Sequence, residues 1–260
     1  MDFHTIFRSQ CLITDGAMGT YYSEKYGKES GTPETDNLTA PQKIEEIHRE
    51  YIRAGADILR TNSFASNIRT LCAGNTVSMT REEQLRTVYE NVAAVCRIAQ
   101  SAVDKERSCA KEAGRETKEI YIAGDIGPVP EKRGAEEQDA ELIEEYKTMA
   151  KAHLDAGLKL IWFETFSDFE RILPVAEWIR SVSDAFIMVS FSVNVFGYTK
   201  TGIGMRELIK TAKESKLIDG IGFNCGIGPS HLGKLLKRHD LGDLIVAAVP
   251  NAGYADRIEN

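Results

Sequence analysis

The residue with the clearest chemical potential in this sequence is Cys225, which follows a short apolar segment and precedes Gly226 and Pro229. This pattern predicts a strand over residues 219–224 that ends at the cysteine and a helix that begins at the proline. In an α/β barrel the carboxyl-terminal ends of the strands carry the active site, so a thiol there is a candidate metal ligand or nucleophile. Considered alone, a free cysteine is more often a buried structural residue.

Polar side chains also follow the other apolar segments of the chain. The residues concerned are Asp15, Asn62, Asp125, Glu164, Asn194 and Asn224. Carboxylates of this set can pair with a substrate ammonium group, and the backbone N–H groups of residues 17–20 can bind a substrate carboxylate, so the set suits a small zwitterion. For Asp125 a turn-fixing role is equally compatible with the sequence. Glu164 follows five largely apolar residues, where an acid usually has a partner.

These residues must be positioned by strand-like segments that alternate with helical segments. The seven predicted strands are residues 11–14, 57–60, 120–124, 158–163, 185–191, 219–224 and 243–249. The first of six helices is predicted to run from a Thr39 cap to Arg53 and to stop at Gly55, and the second to open with a capping box at Thr80 and Glu83. Strict alternation of this kind implies parallel strands joined by right-handed crossovers.

The element count predicts an α/β fold, a TIM-type (β/α)8 barrel truncated before its last helix, strand and helix, because a closed barrel needs eight units of each kind. We expect residues 1–260 to form one barrel domain that is incomplete at its C-terminal end. A doubly wound open sheet is the alternative. Residues 15–20, however, lack the second closely spaced glycine of the phosphate-binding fingerprint that normally follows the first strand of such a sheet.

Composition narrows the classes of partner. The 260 residues include 32 Lys and Arg against 39 Asp and Glu, and the net charge of −7 disfavours nucleic acid as a partner. Five cysteines without framework spacing, in a chain without a signal-like start, predict a reduced cytoplasmic protein. The longest apolar runs have the length of buried strands, so we expect no membrane insertion.

Six segments together resemble the zinc-dependent homocysteine S-methyltransferase family. They are Asp-Gly-Ala-Met-Gly-Thr at 15–20, Thr-Asn-Ser-Phe at 61–64, Gly-Asp-Ile-Gly-Pro at 124–128, Glu-Thr-Phe at 164–166, Gly-Phe-Asn-Cys at 222–225 and Pro-Asn-Ala-Gly at 250–253. Each segment is weak evidence alone, but the six occur in the right order over almost the whole chain. The first and the last are most similar to the N-terminal homocysteine-binding domain of cobalamin-dependent methionine synthases.

The resemblance implies transfer of a methyl group to the zinc-activated thiol of L-homocysteine, which forms methionine. Three cysteines bind the zinc ion in the family, and Cys225 matches the first of them, so it is the implied metal ligand and catalytic residue. The other two belong to a Gly-Gly-Cys-Cys motif that these 260 residues do not contain. We therefore expect an incomplete zinc site and no activity from this chain alone. The implied methyl donor is methylcobalamin, carried by another domain or by a corrinoid protein.

The resemblance also implies a set of substrate-binding residues. Glu164 and Asp15 are expected to bind the amino group of homocysteine, and Asn224 is expected to support Cys225. The other implied substrate-binding residues are Ala17, Met18, Gly19 and Thr20, whose backbone would hold the carboxylate, and Asn62.

Two other functions are compatible with these residues. A barrel without catalytic activity would serve as a scaffold that binds a small amino acid or thiol, with Cys225 as a lone thiol. A lyase or aldolase would use Glu164 together with a lysine. Lys159, however, lies near the start of its predicted strand, and no other lysine accompanies the strand ends.

Overall fold

The computed structural model describes residues 2–27, 32–74, 78–130 and 139–252 of the chain. Six parallel strands form one sheet, in which each strand pairs with the next one along the chain. The strands are β1 (Ile58–Arg60), β2 (Tyr121–Ile126), β3 (Leu160–Phe166), β4 (Phe186–Phe191), β5 (Gly220–Asn224) and β6 (Ile245–Val249). This sequential order excludes the doubly wound alternative, in which the strand order reverses at a switch point.

Helices on the outer face of the sheet connect the strands, and four helices precede the first strand. The helices are α1 (Phe3–Ser9), α2 (Met18–Tyr26), α3 (Asp36–Thr39), α4 (Pro41–Ala54), α5 (Ile68–Leu71), α6 (Arg81–Glu112), α7 (Asp139–Asp155), α8 (Ile172–Val182), α9 (Met205–Glu214) and α10 (Pro229–Leu236), with a 3-10 turn at Pro33–Thr35. The predicted parallel β/α barrel without its last elements is confirmed for the described residues. None of these helices combines the length and apolar character needed to span a membrane.

The segment predicted as the first strand, residues 11–14, is not a buried strand. It makes one parallel bridge, between Thr14 and Ile58, and Ile13 is 63% exposed. The Ile13 N–H donates to the Asp57 carboxylate (2.8 Å), so a side chain replaces the strand backbone as its acceptor. These bonds attach the segment to β1 without extending the sheet.

Most helix boundaries follow the sequence signals, but the predicted cap of α4 is wrong. The Thr39 hydroxyl donates to the Thr35 carbonyl (3.2 Å) and to Asp36 (2.7 Å), and Ala40 is the N-cap residue without a side-chain bond. The helix begins instead at a proline, whose fixed φ suits the first helical position. The capping box at the start of α6 and the end of α4 at Gly55 (φ 109°) are confirmed.

The interior of the sheet is apolar at the amino-terminal ends of the strands and polar at the carboxyl-terminal ends. α1 covers the amino-terminal end, where Phe3 and Phe7 pack against Phe186. Trp162 is buried further along the interior, and its indole N–H donates to the Ser190 hydroxyl (2.9 Å). The fold therefore leaves the carboxyl-terminal end of the sheet for polar chemistry.

The sheet is open along β6. A groove of about 860 Å³ separates this strand from residues 8–14, and its lining includes Ile58, Met188 and Ile245. Within the described residues no strand pairs with the outer edge of β6. The described part of the chain is thus a curled, incomplete barrel.

Candidate active site

The sheet register gathers four polar side chains on its inner face: Arg60, Asp125, Glu164 and Asn224. Successive side chains of a strand point to opposite faces, so residues an even number of positions apart share a face. Arg60 pairs with Ala123, which precedes Asp125 by two residues, and Asp125 pairs with Trp162, which precedes Glu164 by two. The pairing through β4 and β5 places Asn224 on the same face.

Arg60 is the centre of this cluster, although no motif in the sequence identified it. Its Nε donates to Asp15 Oδ1 (2.8 Å), its Nη1 to Glu164 Oε1 (2.5 Å), and its Nη2 to the carbonyls of Asp15 and Gly16 (3.1 Å each). The Arg60 backbone N–H donates to Asp15 Oδ2 (3.0 Å). Both carboxylate oxygens of Asp15 therefore accept hydrogen bonds from Arg60, and the buried guanidinium is paired and hydrogen-bonded as a buried charge must be.

Glu164 and Asp125 form an acidic pair beside Arg60. Glu164 Oε1 accepts hydrogen bonds from Arg60 and from Asn224 Nδ2 (3.2 Å). Asp125 Oδ1 is buried and has no hydrogen-bond partner among the described residues. Burial, followed by the charge of Glu164, raises the pKa of Asp125 well above its usual value. Burial also raises the pKa of Asp15, although Arg60 opposes the effect.

Cys225 lies beside this pair and is connected to it through Asn224. The Asn224 Nδ2 atom lies 3.2 Å from Cys225 Sγ and 2.6 Å from Thr165 Oγ1. Thr165 and Cys225 have φ values of 67° and 55°, a strained conformation for residues with a side chain and one that clusters at functional sites. Burial, together with the charge of Glu164, raises the pKa of the Cys225 thiol. The thiol therefore stays neutral unless a cation offsets that charge.

A buried network beneath the rim fixes the ends of β1 and β2. His153 of α7 packs against Gly124, where a Cβ atom would lie only 2.5 Å from the imidazole ring. His153 Nε2 lies 3.1 Å from the hydroxyls of both Thr61 and Ser63. Thr61 Oγ1 accepts from the Asp125 N–H (2.9 Å), and Ser63 Oγ donates to the Asp125 carbonyl (2.7 Å). Burial lowers the pKa of His153 to about 3, so the imidazole is neutral.

The side chain of Asn62, which was predicted to contact substrate, bonds to Asn37 in the described structure. Its Nδ2 donates to Asn37 Oδ1 (2.8 Å), and Asn37 Nδ2 donates to the Asn62 carbonyl (2.8 Å) and to Asn91 Oδ1 (2.8 Å). The hydrogen bonds of the Asn62 amide within the described residues therefore tie β1 to α3. They do not join Asn62 to the acidic cluster.

The predicted first rim loop is the start of a helix. Ala17 is the N-cap of α2, and its carbonyl accepts a hydrogen bond from Tyr51 Oη (3.1 Å). The first N–H groups of a helix have no intrahelical acceptor, so the backbone of Met18, Gly19 and Thr20 presents donors at the positive end of the helix dipole. This geometry suits a carboxylate as well as the predicted loop does.

The described part of the chain does not contain a complete metal site. No group of three His, Cys, Asp or Glu side chains there is arranged to hold a metal ion. Cys72 and Cys96 are buried in the helix-covered core, and Cys109 belongs to α6. Cys225 is the thiol that these residues offer at the carboxyl-terminal end of the sheet, so the three-thiolate centre implied by the sequence does not fit the described residues alone.

Lys159, the lysine considered for a lyase, lies at the opposite end of β3 from Glu164. Its ammonium group pairs with the exposed carboxylate of Asp184 (2.9 Å). The lysine is therefore separated from the rim by the length of the strand. The geometry does not support Schiff-base chemistry with this pair of residues.

These features define a β/α-barrel protein with a thiol, an amide and paired acids at the carboxyl-terminal end of its sheet. The chain belongs to the homocysteine S-methyltransferase family, whose model matches residues 12–260.

Similar proteins include the methionine synthases of Mycobacterium tuberculosis and Mycobacterium leprae. The first is 26% identical over 269 residues, which cover 97% of this chain and 21% of the relative. The second is 26% identical over 255 residues, which cover 93% of this chain and 20% of the relative. The chain thus spans about a fifth of the length of these relatives.

A solved structure with the same fold is the metallated form of the homocysteine methyltransferase MmuM from Escherichia coli. Its TM-score is 0.76 at 21% identity, and the match covers 96% of this chain and 86% of that protein. The apo form of MmuM matches with a TM-score of 0.69. These similarities support the barrel assignment independently of the strand count.

Proposed function

We propose that this chain forms the homocysteine-binding part of an enzyme that transfers a methyl group to the sulfur of L-homocysteine and forms methionine. The observation that carries the proposal is the connection of an acid to a thiol through one amide, since Asn224 Nδ2 lies 3.2 Å from both Glu164 Oε1 and Cys225 Sγ. Homocysteine carries an ammonium group and a thiol on one short chain. A site with a carboxylate at one end and a sulfur site at the other matches that substrate.

In this proposal Glu164 receives the ammonium group, and the backbone N–H groups of Met18, Gly19 and Thr20 receive the carboxylate. The support for the second role is the start of α2 at Met18, which leaves these donors without helical acceptors. Asp15, the other acid expected at the ammonium group, accepts from Arg60 through both carboxylate oxygens, so its contribution in this proposal is to hold Arg60 in place beside Glu164. Ala17 completes the carboxylate site as the N-cap of α2, and the proposed contribution of Asn62 is indirect, since its amide ties the end of β1 to Asn37 of α3.

Cys225 is proposed as the ligand that this chain contributes to a zinc ion. The support is its place at the end of β5 and the family to which the chain belongs. The described residues provide one of the three thiols of such a site, so they do not form it on their own. Asn224 contacts both the Cys225 sulfur and Glu164, so it fixes the distance between the sulfur site and the ammonium site.

The methyl donor and the location of the protein are further proposals. The relatives named methionine synthase support methylcobalamin, carried by another domain or by a corrinoid protein, as the donor. We infer a cytoplasmic location from the cysteine usage of the sequence.

The experiment is calorimetric titration of L-homocysteine into the complete protein and its Glu164→Gln variant. The substituted amide keeps the shape of the side chain and can still accept from Arg60 and Asn224, but it lacks the charge that the ammonium group requires. A charged hydrogen bond contributes about 1.5–3 kcal/mol, so the affinity should fall roughly 10- to 100-fold. Glu170→Gln, at an exposed position, is the control and should leave the affinity unchanged. Equal affinity of the wild type and Glu164→Gln would refute the assignment.

A further inference from the structure

A second pocket, of about 390 Å³, lies on the outer side of the fold between α9 and the segment that follows α10. This volume falls within the range of small-molecule sites. None of the residues that line the pocket belongs to the candidate active site, so the two are separate features of the molecule. The lining includes four cations and a histidine, which are Arg206, Lys210, Lys213, Arg238 and His239.

The two lysines of this pocket have acidic neighbours. The Lys213 ammonium group donates to the Asp240 carbonyl (2.8 Å) and to the Asp240 carboxylate (3.1 Å). Lys210 Nζ lies 3.9 Å from Glu214 Oε1. Asp240 and Glu214 are the carboxylates of the lining, so both acids of the pocket lie beside lysines.

The two arginines of the pocket have no such neighbours. Among the described residues, neither Arg206 nor Arg238 takes part in an ion pair or donates a side-chain hydrogen bond, and both are exposed. Arg206 also shares one face of α9 with Lys210 and Lys213, which follow it at the i+4 and i+7 positions. The chain as a whole has a net charge of −7, so this local excess of positive charge does not reflect its composition. Uncompensated cations around a concave surface attract an anion.

His239 lies within the electrostatic field of both arginines. The residue is half-buried in the lining of the pocket. Burial, followed by the charges of Arg206 and Arg238, lowers the pKa of its imidazole. The two guanidinium groups therefore act on one ring, and an anion bound between them would offset their charges and favour protonation of the ring.

We propose that this pocket binds the phosphate group of a small molecule, with Arg206 and Arg238 as the charged donors and His239 as a further donor. A guanidinium group presents paired N–H donors that match the oxygens of a phosphate. A phosphate monoester carries about 1.5–2 negative charges at pH 7 and so compensates two guanidinium groups, whereas a carboxylate carries a single charge. The site is independent of the proposed function.

The test is calorimetric titration of the complete protein with inorganic phosphate and with ADP at constant ionic strength. Tighter binding of ADP would assign the site to a phosphate ester, and tighter binding of inorganic phosphate would assign it to the free ion. Arg206→Gln and Arg238→Gln should each weaken binding of the preferred probe roughly 10-fold or more. Lys237→Gln is the matched control, because it removes an exposed charge next to Arg238 but outside the lining, and it should change the affinity less than about twofold.

The absence of saturable binding of both probes would overturn the proposal. Equal losses in Lys237→Gln and Arg238→Gln would also overturn it, because they would show diffuse attraction to a basic surface. Homocysteine affinity should be the same in Arg206→Gln and the wild type, so failure of this inference leaves the proposed function untouched.

The role of His239 is tested with sulfate, which keeps its charge over the pH range in which histidine titrates. Between about pH 8 and about pH 6, the affinity of the wild type for sulfate should rise as the pH falls, because the bound anion favours protonation of the imidazole. His239→Gln should lack this rise. The same pH dependence in the variant and the wild type would exclude His239 from the site.

Discussion

Replacing Gly124 with alanine tests how the buried layer beneath the rim supports the site. A Cβ atom at this position would lie 2.5 Å from Cγ and 2.7 Å from Cδ2 of His153, distances that real Cβ contacts do not reach. His153 is fully buried, so its ring cannot move into free space. Overpacking of a core costs about 1–3 kcal/mol. Loss of the His153 contacts to Thr61 and Ser63 adds about 0.5–1.5 kcal/mol for each hydrogen bond.

We therefore expect Gly124→Ala to lower the free energy of unfolding by about 2–6 kcal/mol, measured by urea unfolding. Gly233→Ala is the matched control, since Gly233 lies inside α10 with open space where a Cβ atom would be added, and it should gain up to about 1 kcal/mol from helix propensity. The Gly124 variant should also bind homocysteine more weakly, because Thr61 and Ser63 hold the Asp125 backbone. A Gly124→Ala protein as stable as the wild type would refute the packing argument.

Two further predictions concern stability. Burial lowers the pKa of His48 to about 4, below the value of about 6.5 in the unfolded chain, so the unfolded state takes up the proton first as the pH falls. The stabilisation that depends on neutral His48 is complete above pH 6.5 and should fall by about 2 kcal/mol by pH 5. In urea unfolding, the free energy of unfolding of His48→Leu should fall by about 2 kcal/mol less than that of the wild type over the same pH range. Identical pH dependence of the two proteins would contradict the prediction. Glu106 accepts hydrogen bonds from Arg49 (2.6 Å) and from two nitrogens of Arg53 (3.0 and 2.7 Å), so Glu106→Gln should cost about 1 kcal/mol, whereas Glu214→Gln at an exposed pair should cost almost nothing.

The sequence was sufficient to predict the order of β1 to β6 and the place of Cys225, because apolar runs followed by polar or glycine residues mark strand ends directly. Glu164 was also predictable as a buried acid with a partner, since it follows an apolar run. The prediction for residues 11–14 failed because an apolar run does not show how far a segment pairs with its neighbour. These residues make one bridge to β1, and the Asp57 side chain satisfies the Ile13 N–H.

Arg60 could not be recognised from its type, because arginine is usually exposed. Its position at the end of an apolar strand is the one signal in the sequence that could have identified it. The sequence does not predict the positive φ of Thr165, because this backbone conformation results from the packing around the end of the strand. The cap of α4 was misassigned because Thr39 bonds to residues before it instead of to the helix that follows.

The most direct test of the central claim is methionine formation from L-homocysteine by the complete protein, supplied in separate assays with methylcobalamin, methyltetrahydrofolate, S-methylmethionine or betaine as methyl donor. Methionine is quantified by mass spectrometry for the wild type, for Cys225→Ser, and for Cys109→Ser as the control at a cysteine of α6. We predict methionine from the wild type and from Cys109→Ser with at least one donor, and none above background from Cys225→Ser. The absence of methionine with every donor, or equal activity of Cys225→Ser, would contradict the account.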